Sequence, residues 1–320
     1  MRPRYRWQLP SRVLELGERT VIMGIVNVTP DSFYDGGSFV SPAKGVEHAL
    51  RLLEDGADIL DLGGESTRPG AHVAGQETQP KGAAKPMVSA EEELRRVMPV
   101  LEGILRARPD ALVSVDTYKA VVARAAVGAG AEIVNDVSAL QWDSQMASTC
   151  AELGSGVVLM HTRGKPAQWR SLAADPSPIS LVEHELASRL QFAMERGVQR
   201  SHIVIDPGFG FGKNFGENYP LLAHLGDLRG LGFPLLAGTS RKSFIGRTLG
   251  GRLGHDAPPP ERLYGSLAAM VASILGGAHI VRVHDVKPAV EAAAVADEVL
   301  AANREFDQLP SHTTETPKRQ

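Results

Sequence analysis

Cysteine is almost absent from this chain. One cysteine, Cys150, stands among 320 residues, so no intrachain disulfide can form and a reducing, cytoplasmic setting is expected. Long apolar runs are missing too: nothing approaches the roughly 18 uninterrupted apolar residues of a membrane-spanning helix. The first ten residues, MRPRYRWQLP, are basic, but no apolar segment follows them, so a secretory signal is not expected. Charge of one sign is not in excess either. Lys and Arg number 34 against 37 Asp and Glu, for a net charge of -3, which removes the positive field a nucleic-acid or acidic-membrane partner would require. What is present, 43% hydrophobic and 22% charged residues, is the composition of a soluble globular enzyme with core enough for one large domain or two modest ones.

The order within that composition is regular. Short β-type runs fall at residues 21–26, 58–62, 112–115, 132–134, 156–160, 203–205, 234–237 and 279–283. Between them, residues 43–55, 90–108, 119–128, 144–153, 179–196, 219–231, 261–275 and 287–303 carry apolar residues at helical spacing. Gly56, Gly130, Gly154 and Gly197 stand where left-handed C-terminal caps belong. Strands too short and too apolar to alternate, separated by helices, imply a parallel sheet buried on both faces. Eight such units favour an α/β fold of the (β/α)8 TIM-barrel kind over a doubly wound open sheet. The dinucleotide fingerprint an open sheet would carry after its first strand is absent from Asn27-Val-Thr-Pro-Asp31. The division expected is an N-terminal extension over 1–19, a single barrel over 20–305 and a disordered tail over 306–320.

One connection breaks the rhythm. Some two dozen residues, 63–88, follow the second predicted strand, against the usual 2–6 or so for a strand-to-helix loop. Its first part, GGESTRPGA, looks specific; its second, HVAGQETQPKGAAKP over 72–86, is low in complexity and reads as a surface insertion.

In a barrel of this kind the strand ends and the loops after them carry the chemistry. Those positions hold Asn27; Asp61 with Glu65, Thr67 and Arg68; Asp116; Asn135 and Asp136; Met160 and His161; Asp206; Gly238, Ser240, Arg241 and Lys242; and Arg282 with His284. Any one Asp or Asn there could simply cap the next helix. Capping gives no reason for a lysine, two arginines and a histidine on the same rim. Asp116, Asn135 and Asp206 offer acceptors and an amide, suited to a heterocycle whose amino group and ring N–H form a paired donor that a carboxylate matches bidentately. Lys242 would then donate to the heterocycle's carbonyl or ring nitrogen. Arg282 and His284, two apart on one strand, point to the same side. They lie where this fold commonly binds phosphate, and Arg282 is read as a phosphate contact rather than a salt bridge across the barrel top. Asn27 offers a cation one neutral oxygen, which suits Mg2+ held jointly with substrate phosphates; a loop-organising asparagine is the equal alternative. The run Asp206-Pro-Gly-Phe-Gly-Phe-Gly212 lacks the ending and spacing of a P-loop, and Phe211 reads better as a wall against a flat ring. His161 reads as structural, and His279 with His284 does not make a zinc site.

Several segments together, GIVNVTPDSFYDGG from Gly24, GGESTRPG from Gly63, SVDT from Ser114, Asn135-Asp136, DPGFGFGK from Asp206, SRKS from Ser240 and Arg282-Val-His284, resemble the dihydropteroate synthase family over residues 20–300. The resemblance implies a (β/α)8 barrel, a homodimer and an Mg2+-assisted condensation in folate synthesis. The substrates would be 6-hydroxymethyl-7,8-dihydropterin diphosphate and 4-aminobenzoate, and sulfonamides would target the enzyme. By that resemblance the pterin meets Asp116, Asn135, Met160, Asp206, Phe211, Gly238 and Lys242. The diphosphate meets Asn27, through the metal, with Thr67, Arg282 and His284. The aminobenzoate lies against Phe33, Thr67, Arg68, Pro69 and Ser240, with Asp31 in the first of the closing loops. Asp206, Lys242, Arg282 and His284 are the residues expected to act in catalysis. Two departures stand out: His161-Thr-Arg-Gly164 lacks the methionine that commonly follows the histidine, and 72–86 lengthens the second loop. A methyltetrahydrofolate-dependent corrinoid methyltransferase would share Asp116, Asn135 and Asp206 but has no need of Asn27, Lys242 and the Arg-x-His pair. A non-catalytic pterin-binding paralogue is the remaining alternative.

Overall fold

The computed structural model describes residues 2–29, 41–65 and 88–308. The chain opens with a hairpin of β1 (Tyr5–Gln8) and β2 (Val13–Leu16), antiparallel, with Trp7 opposite Leu14. Eight parallel strands follow: β3 (Val21–Asn27), β4 (Ile59–Gly63), β5 (Val113–Asp116), β6 (Ile133–Asp136), β7 (Gly156–Met160), β8 (Ile203–Asp206), β9 (Leu236–Ala237) and β10 (Ile280–Val283). Their order is β8-β7-β6-β5-β4-β3-β10-β9, and a parallel bridge between Ile205 and Leu235 joins the two ends. The sheet is therefore a barrel, as the eight-unit pattern predicts. Around it stand α1 (Pro42–Glu54), α2 (Ala90–Ala107), α3 (Ala120–Gly128), α4 (Met146–Leu153), α5 (Pro178–Glu195), α6 (Phe215–Ala223), α7 (Ser243–Leu253), α8 (Leu263–Leu275) and α9 (Val286–Gln308).

Side-chain alternation sorts the core into two. Val21, Met23, Ile59, Ile133, Val158, Val204, Leu236 and Ile280 point into the barrel. Their neighbours Ile22, Leu60, Val134, Val157, Ile203, Leu235 and Val281 point outward against the helices. The barrel's lower end is plugged by Trp7, Leu9 and Leu16, and the Trp7 indole N–H donates to the His202 carbonyl at 2.7 Å. The helices begin where local chemistry allows: Pro42 and Pro178 open α1 and α5, and the Ser89 hydroxyl accepts the Glu92 N–H at the start of α2. Gly56, Gly130, Gly154 and Gly197 all take positive φ after their helices.

Four features differ from the sequence expectation. Residues 1–19 include the hairpin plug, whose four-residue strands are too short to show a pattern. The helix expected over 219–231 is α6 followed by a 3-10 stretch, Leu225–Leu231. Helix α7 has no counterpart among the expected helices. At the other end, α9 runs to Gln308, so the first three residues of the expected tail are helical; the rest of that tail, and the 72–86 insertion, lie outside the described residues.

Candidate active site

The inward alternation that fills the barrel continues upward into polar residues. One step or two above the apolar layer, the same faces present Asn27 on β3, Asp61 on β4, Asp116 on β5, Asn135 on β6, Met160 on β7 and Asp206 on β8. Arg282 extends β10's inward face, and Gly238 and His284 continue β9 and β10 just past their ends. These strand-end positions, among those picked out in the sequence, thus share one rim. Phe33, Thr67, Arg68, Pro69 and Asp31 lie outside the described residues.

Arg282 is the hub. Its Nε donates to Asp61 Oδ2 at 2.5 Å and an Nη donates to Asp116 Oδ2 at 2.7 Å. Arg282, expected to contact phosphate, therefore does make the salt bridge across the barrel that the phosphate reading had placed second. The reason is Asp61, which has no exposed surface and a carboxylate that needs a cation. Burial pulls the guanidinium pKa down, but Asp61 and Asp116 outweigh it and hold it raised, so Arg282 stays charged. Asp61 Oδ2 also accepts from the Asn135 amide at 3.1 Å, whereas its Oδ1 has no hydrogen-bond partner among the described residues. With its NH2 so engaged, Asn135 presents its carbonyl oxygen to the remaining space. Asp61 appears among the strand ends in the sequence but carries no assigned role there; its inward position, between Ile59 and Gly63, is the signal that singles it out.

Asp206 and Lys242 form the second pair. Burial raises the Asp206 carboxyl to about 6, opposed by the Gly208 N–H at 2.7 Å and by Lys242, Lys213 and Arg282. Burial lowers the Lys242 ammonium to about 7 against the pull of Asp206. Lys242 Nζ sits over the Phe211 ring, 3.9 Å from its centre, a cation–π contact that ties the ammonium to this wall. Phe211 in turn meets Trp169 edge-on at 5.2 Å and packs with Tyr118, Val137, Met160 and Trp142. Gly238 leaves room here, since a Cβ at that position would lie 3.9 Å from Asp206 Oδ2 and 3.8 Å from Arg282 Cβ. Asp116, raised to about 7 by burial, is drawn back down by Arg282.

On the far side, Ser240 Oγ accepts the His284 N–H at 3.2 Å and lies 3.0 Å from His284 Nδ1. The Ser240 hydroxyl thus orients the imidazole, as donor to Nδ1 or as acceptor from it according to the tautomer. Two neighbours turn out to have local work. Arg241, at φ +57, turns away to a two-point ion pair with Asp285 at 2.6 and 3.0 Å. Asp136 caps its own loop through Ser138 N at 2.7 Å and Leu140 N at 3.0 Å. His279 and His284 stand at opposite ends of β10, His279 against Pro3 and Leu235 at the plugged end. The expected set also lacked Lys213, Lys119 and the aromatic neighbours Tyr118, Trp142 and Trp169. Lys213 lies in the quoted DPGFGFGK run, but nothing in its spacing says that it turns inward.

A barrel mouth with acceptors on one wall, an aromatic on another and cations between them is built for a flat, polar, anionic substrate. The sequence model of the family described as pterin binding enzyme matches residues 23–284. A dihydropteroate synthase of Bacillus subtilis is 42% identical over 287 residues, covering 90% of this chain and 91% of its own. The Yersinia pestis dihydropteroate synthase, solved as a sulfonamide drug complex, superposes with a TM-score of 0.80 at 38% identity, covering 93% of this chain and 99% of that one. The Xanthomonas albilineans enzyme, solved with 4-aminobenzoic acid, gives 0.78 at 41%, covering 96% and 100%. Solved with 7,8-dihydropteroate, it gives 0.76 at 39%, covering 95% and 100%. The fold and the mouth are those of a pterin-binding TIM-barrel enzyme. Within that class the chain belongs to the dihydropteroate synthase family, transferases of folate biosynthesis.

Proposed function

We propose that this chain joins 6-hydroxymethyl-7,8-dihydropterin diphosphate to 4-aminobenzoate, releasing diphosphate and 7,8-dihydropteroate. The observation that carries the reading is the convergence of Asp116, Asn135 and Asp206 with Lys242 and Arg282 around the Phe211 wall. The amino-pyrimidinone edge lies against the carboxylates of Asp206 and Asp116 and the Asn135 carbonyl oxygen, with Met160 and Gly238 bounding the ring. Lys242 donates to its carbonyl or ring nitrogen. The methylene C–O bond breaks and the C–N bond to the aminobenzoate amine forms, while that amine loses a proton to solvent. Positive charge develops on the pterin and negative charge on the departing oxygen. Asp206 faces the first; Arg282 and His284 face the second. Arg282 is held for that task by Asp61, and Ser240 holds the His284 ring. Thr67 belongs to the diphosphate set and Phe33, Thr67, Arg68, Pro69 and Ser240 to the aminobenzoate set.

Asn27 suits Mg2+. Its side chain ends β3 half-buried, makes no hydrogen bond to a described residue, and no group of three or more His, Cys, Asp or Glu that could hold a metal stands among the described residues. A single amide oxygen fits a cation that takes its other ligands from water and substrate phosphates. When bound, Mg2+ would neutralise charge on the diphosphate. The test is a release assay. Diphosphate should appear only with both substrates and Mg2+ present, and stop with a chelator; release that ignores the aminobenzoate would sink the reading. A sulfonamide should compete with 4-aminobenzoate rather than with the pterin in the same assay.

The chain also reads as a homodimer in the cytoplasm. Tyr264, Ala268, Ala272 and Leu275 form an exposed, uncharged stripe along α8, beside exposed Val295 and Val299 on α9. No helix among the described residues is long and apolar enough to cross a membrane. Sedimentation of the wild type against Tyr264→Glu tests the pairing: the variant should sediment as a monomer.

A further inference from the structure

Lys213 is buried behind the proposed pterin wall and has no part in the reaction described above. Its ammonium donates to the Gly208 carbonyl at 2.8 Å and to His161 Nδ1 at 2.8 Å, with the Phe211 and His161 carbonyls at 3.3 and 3.4 Å. Three protons thus meet four acceptors drawn from two loops. One loop follows Asp206 at the end of β8 and carries Phe211; the other follows β7 and carries His161. The backbones are pressed together there. A Cβ on Gly208 would fall 1.9 Å from the His161 carbonyl oxygen, and one on Gly212 would fall 2.7 Å from Arg163. The His161 N–H also donates to the Asp206 carbonyl at 2.8 Å, which joins the two loops a second time at the level of the strand ends.

The hydrogen-bond pattern fixes a protonation state. An ammonium can donate to His161 Nδ1 only if that nitrogen is bare, so the imidazole proton is on Nε2, which lies 3.0 Å from Glu185 Oε2 and donates to it. Burial and the neighbouring Lys213 both push the His161 pKa down, to about 4, which keeps the ring neutral. Burial lowers the Lys213 ammonium to about 7; Asp206 and Glu217 favour its charge, and Lys242 and Arg163 oppose it.

We propose that Lys213 is a positioning residue for pterin recognition: its ammonium staples the loop after β8 to the loop after β7 and so sets the plane of Phe211 and the place of Asp206, with Glu185 holding His161 in the tautomer that accepts the staple. This rests on the reading that the pterin lies against Phe211. A role confined to general stability would affect both substrates alike; a role in orienting the wall affects one.

The experiment compares the wild type with Lys213→Met, which removes the charge and keeps the length. The KM for the pterin diphosphate should rise at least about tenfold while that for 4-aminobenzoate stays within about twofold. Trp169, edge-on to Phe211, should report the loosened wall as a change in emission that is absent when Trp169→Phe is added. Titration with 6-hydroxymethylpterin alone separates two failures. If the wild type does not bind it, the functional reading falls; if it binds equally to both proteins, the positioning role falls. An equal rise in both KM values also overturns it. Should Lys213→Met not fold, nitrogen NMR of the wild type decides: the proposal requires His161 neutral at neutral pH with the proton on Nε2, and a proton on Nδ1 refutes it.

Discussion

A carboxylate with no exposed surface has to be matched from within the protein, and among the described residues Asp61 is matched on one oxygen alone. That oxygen takes the Arg282 Nε and the Asn135 amide together, so Asp61 orients one residue proposed for the diphosphate and one proposed for the pterin. Replacing it by Asn keeps the shape and removes the charge. Loss of a hydrogen bond to a charged group is worth about 1.5–3 kcal/mol, so Asp61→Asn should lower kcat/KM by roughly 10- to 150-fold. Steady-state kinetics with the pterin substrate varied measures this, and an unchanged value would mean that Asp116 alone holds Arg282. Asp206 supports a second prediction. Its carboxyl is raised to about 6 by burial, so on acidification it takes up a proton and ceases to be the paired acceptor the pterin edge needs. The profile of kcat/KM should therefore fall below about pH 6. Lys242 favours the ionised form of Asp206, so Lys242→Met should move that acid limb to higher pH; a limb that does not move assigns it to another group.

Between the residues and the barrel stand a few elements that hold each other by buried charge. Lys119, at the start of α3, lies between Glu65 at the end of β4 and Glu93 in α2. All three side chains are almost fully buried, at 8%, 6% and 1% exposure. Burial raises the Glu93 carboxyl, and Lys119 is the principal force drawing it back down. Lys119→Met would leave the two carboxylates without the cation that bridges them, with Arg96 still acting on both. Removing one partner of a buried pair typically costs about 3–5 kcal/mol, so the urea midpoint should drop by that equivalent with no change in slope. A loss below about 1 kcal/mol would mean that a proton shared between the glutamates replaces the lysine.

The same scale explains what pattern could and could not reveal. The barrel strands were legible because each is a short apolar run flanked by turn residues. Helix α7, SFIGRTLGGRL, was not, because Gly246, Gly250 and Gly251 blur its apolar stripe. Those glycines make sense only with the fold in view: a Cβ on Gly246 would lie 2.6 Å from the Ala257 carbonyl oxygen, so the missing side chain lets the following segment lie against the helix. The β1–β2 hairpin was hidden for a related reason. Its Trp7, Leu9 and Leu16 are buried against strands far along the chain, and no local period marks a plug.

For the molecule as a whole, legibility followed the barrel's symmetry. Once the strands are in phase, a period of two puts Asn27, Asp116, Asn135, Asp206, Arg282 and His284 on one rim, so the described part of the site could be read from the chain. Pairings across the barrel could not, because Arg282 and Asp61 are 221 residues apart. The plugged end supplies a prediction of the same long-range kind. His279 has no exposed surface; its Nδ1 accepts the Leu235 N–H at 3.0 Å and its Nε2 lies 3.0 Å from the Pro3 carbonyl oxygen. A proton on Nδ1 would displace the Leu235 bond, and burial accordingly pushes the pKa down from 6.5 to about 4. The unfolded chain therefore binds more protons than the folded one between those values. The stability that neutral His279 confers is complete above about pH 6.5 and is lost as pH falls through about 4. Asp116, Asp136 and Asp206, raised to about 7, 6 and 6, act in the opposite sense over much of that range and outweigh one histidine, so the raw curve of stability against pH does not display the His279 effect. Comparison with His279→Gln, which can accept and donate in the same places without titrating, isolates the effect. The wild type's stability relative to the variant should be constant above about pH 7 and fall by roughly 3 kcal/mol by pH 4. Parallel curves for the two proteins over that window would show that the histidine is protonated in the fold and that the plug tolerates its charge.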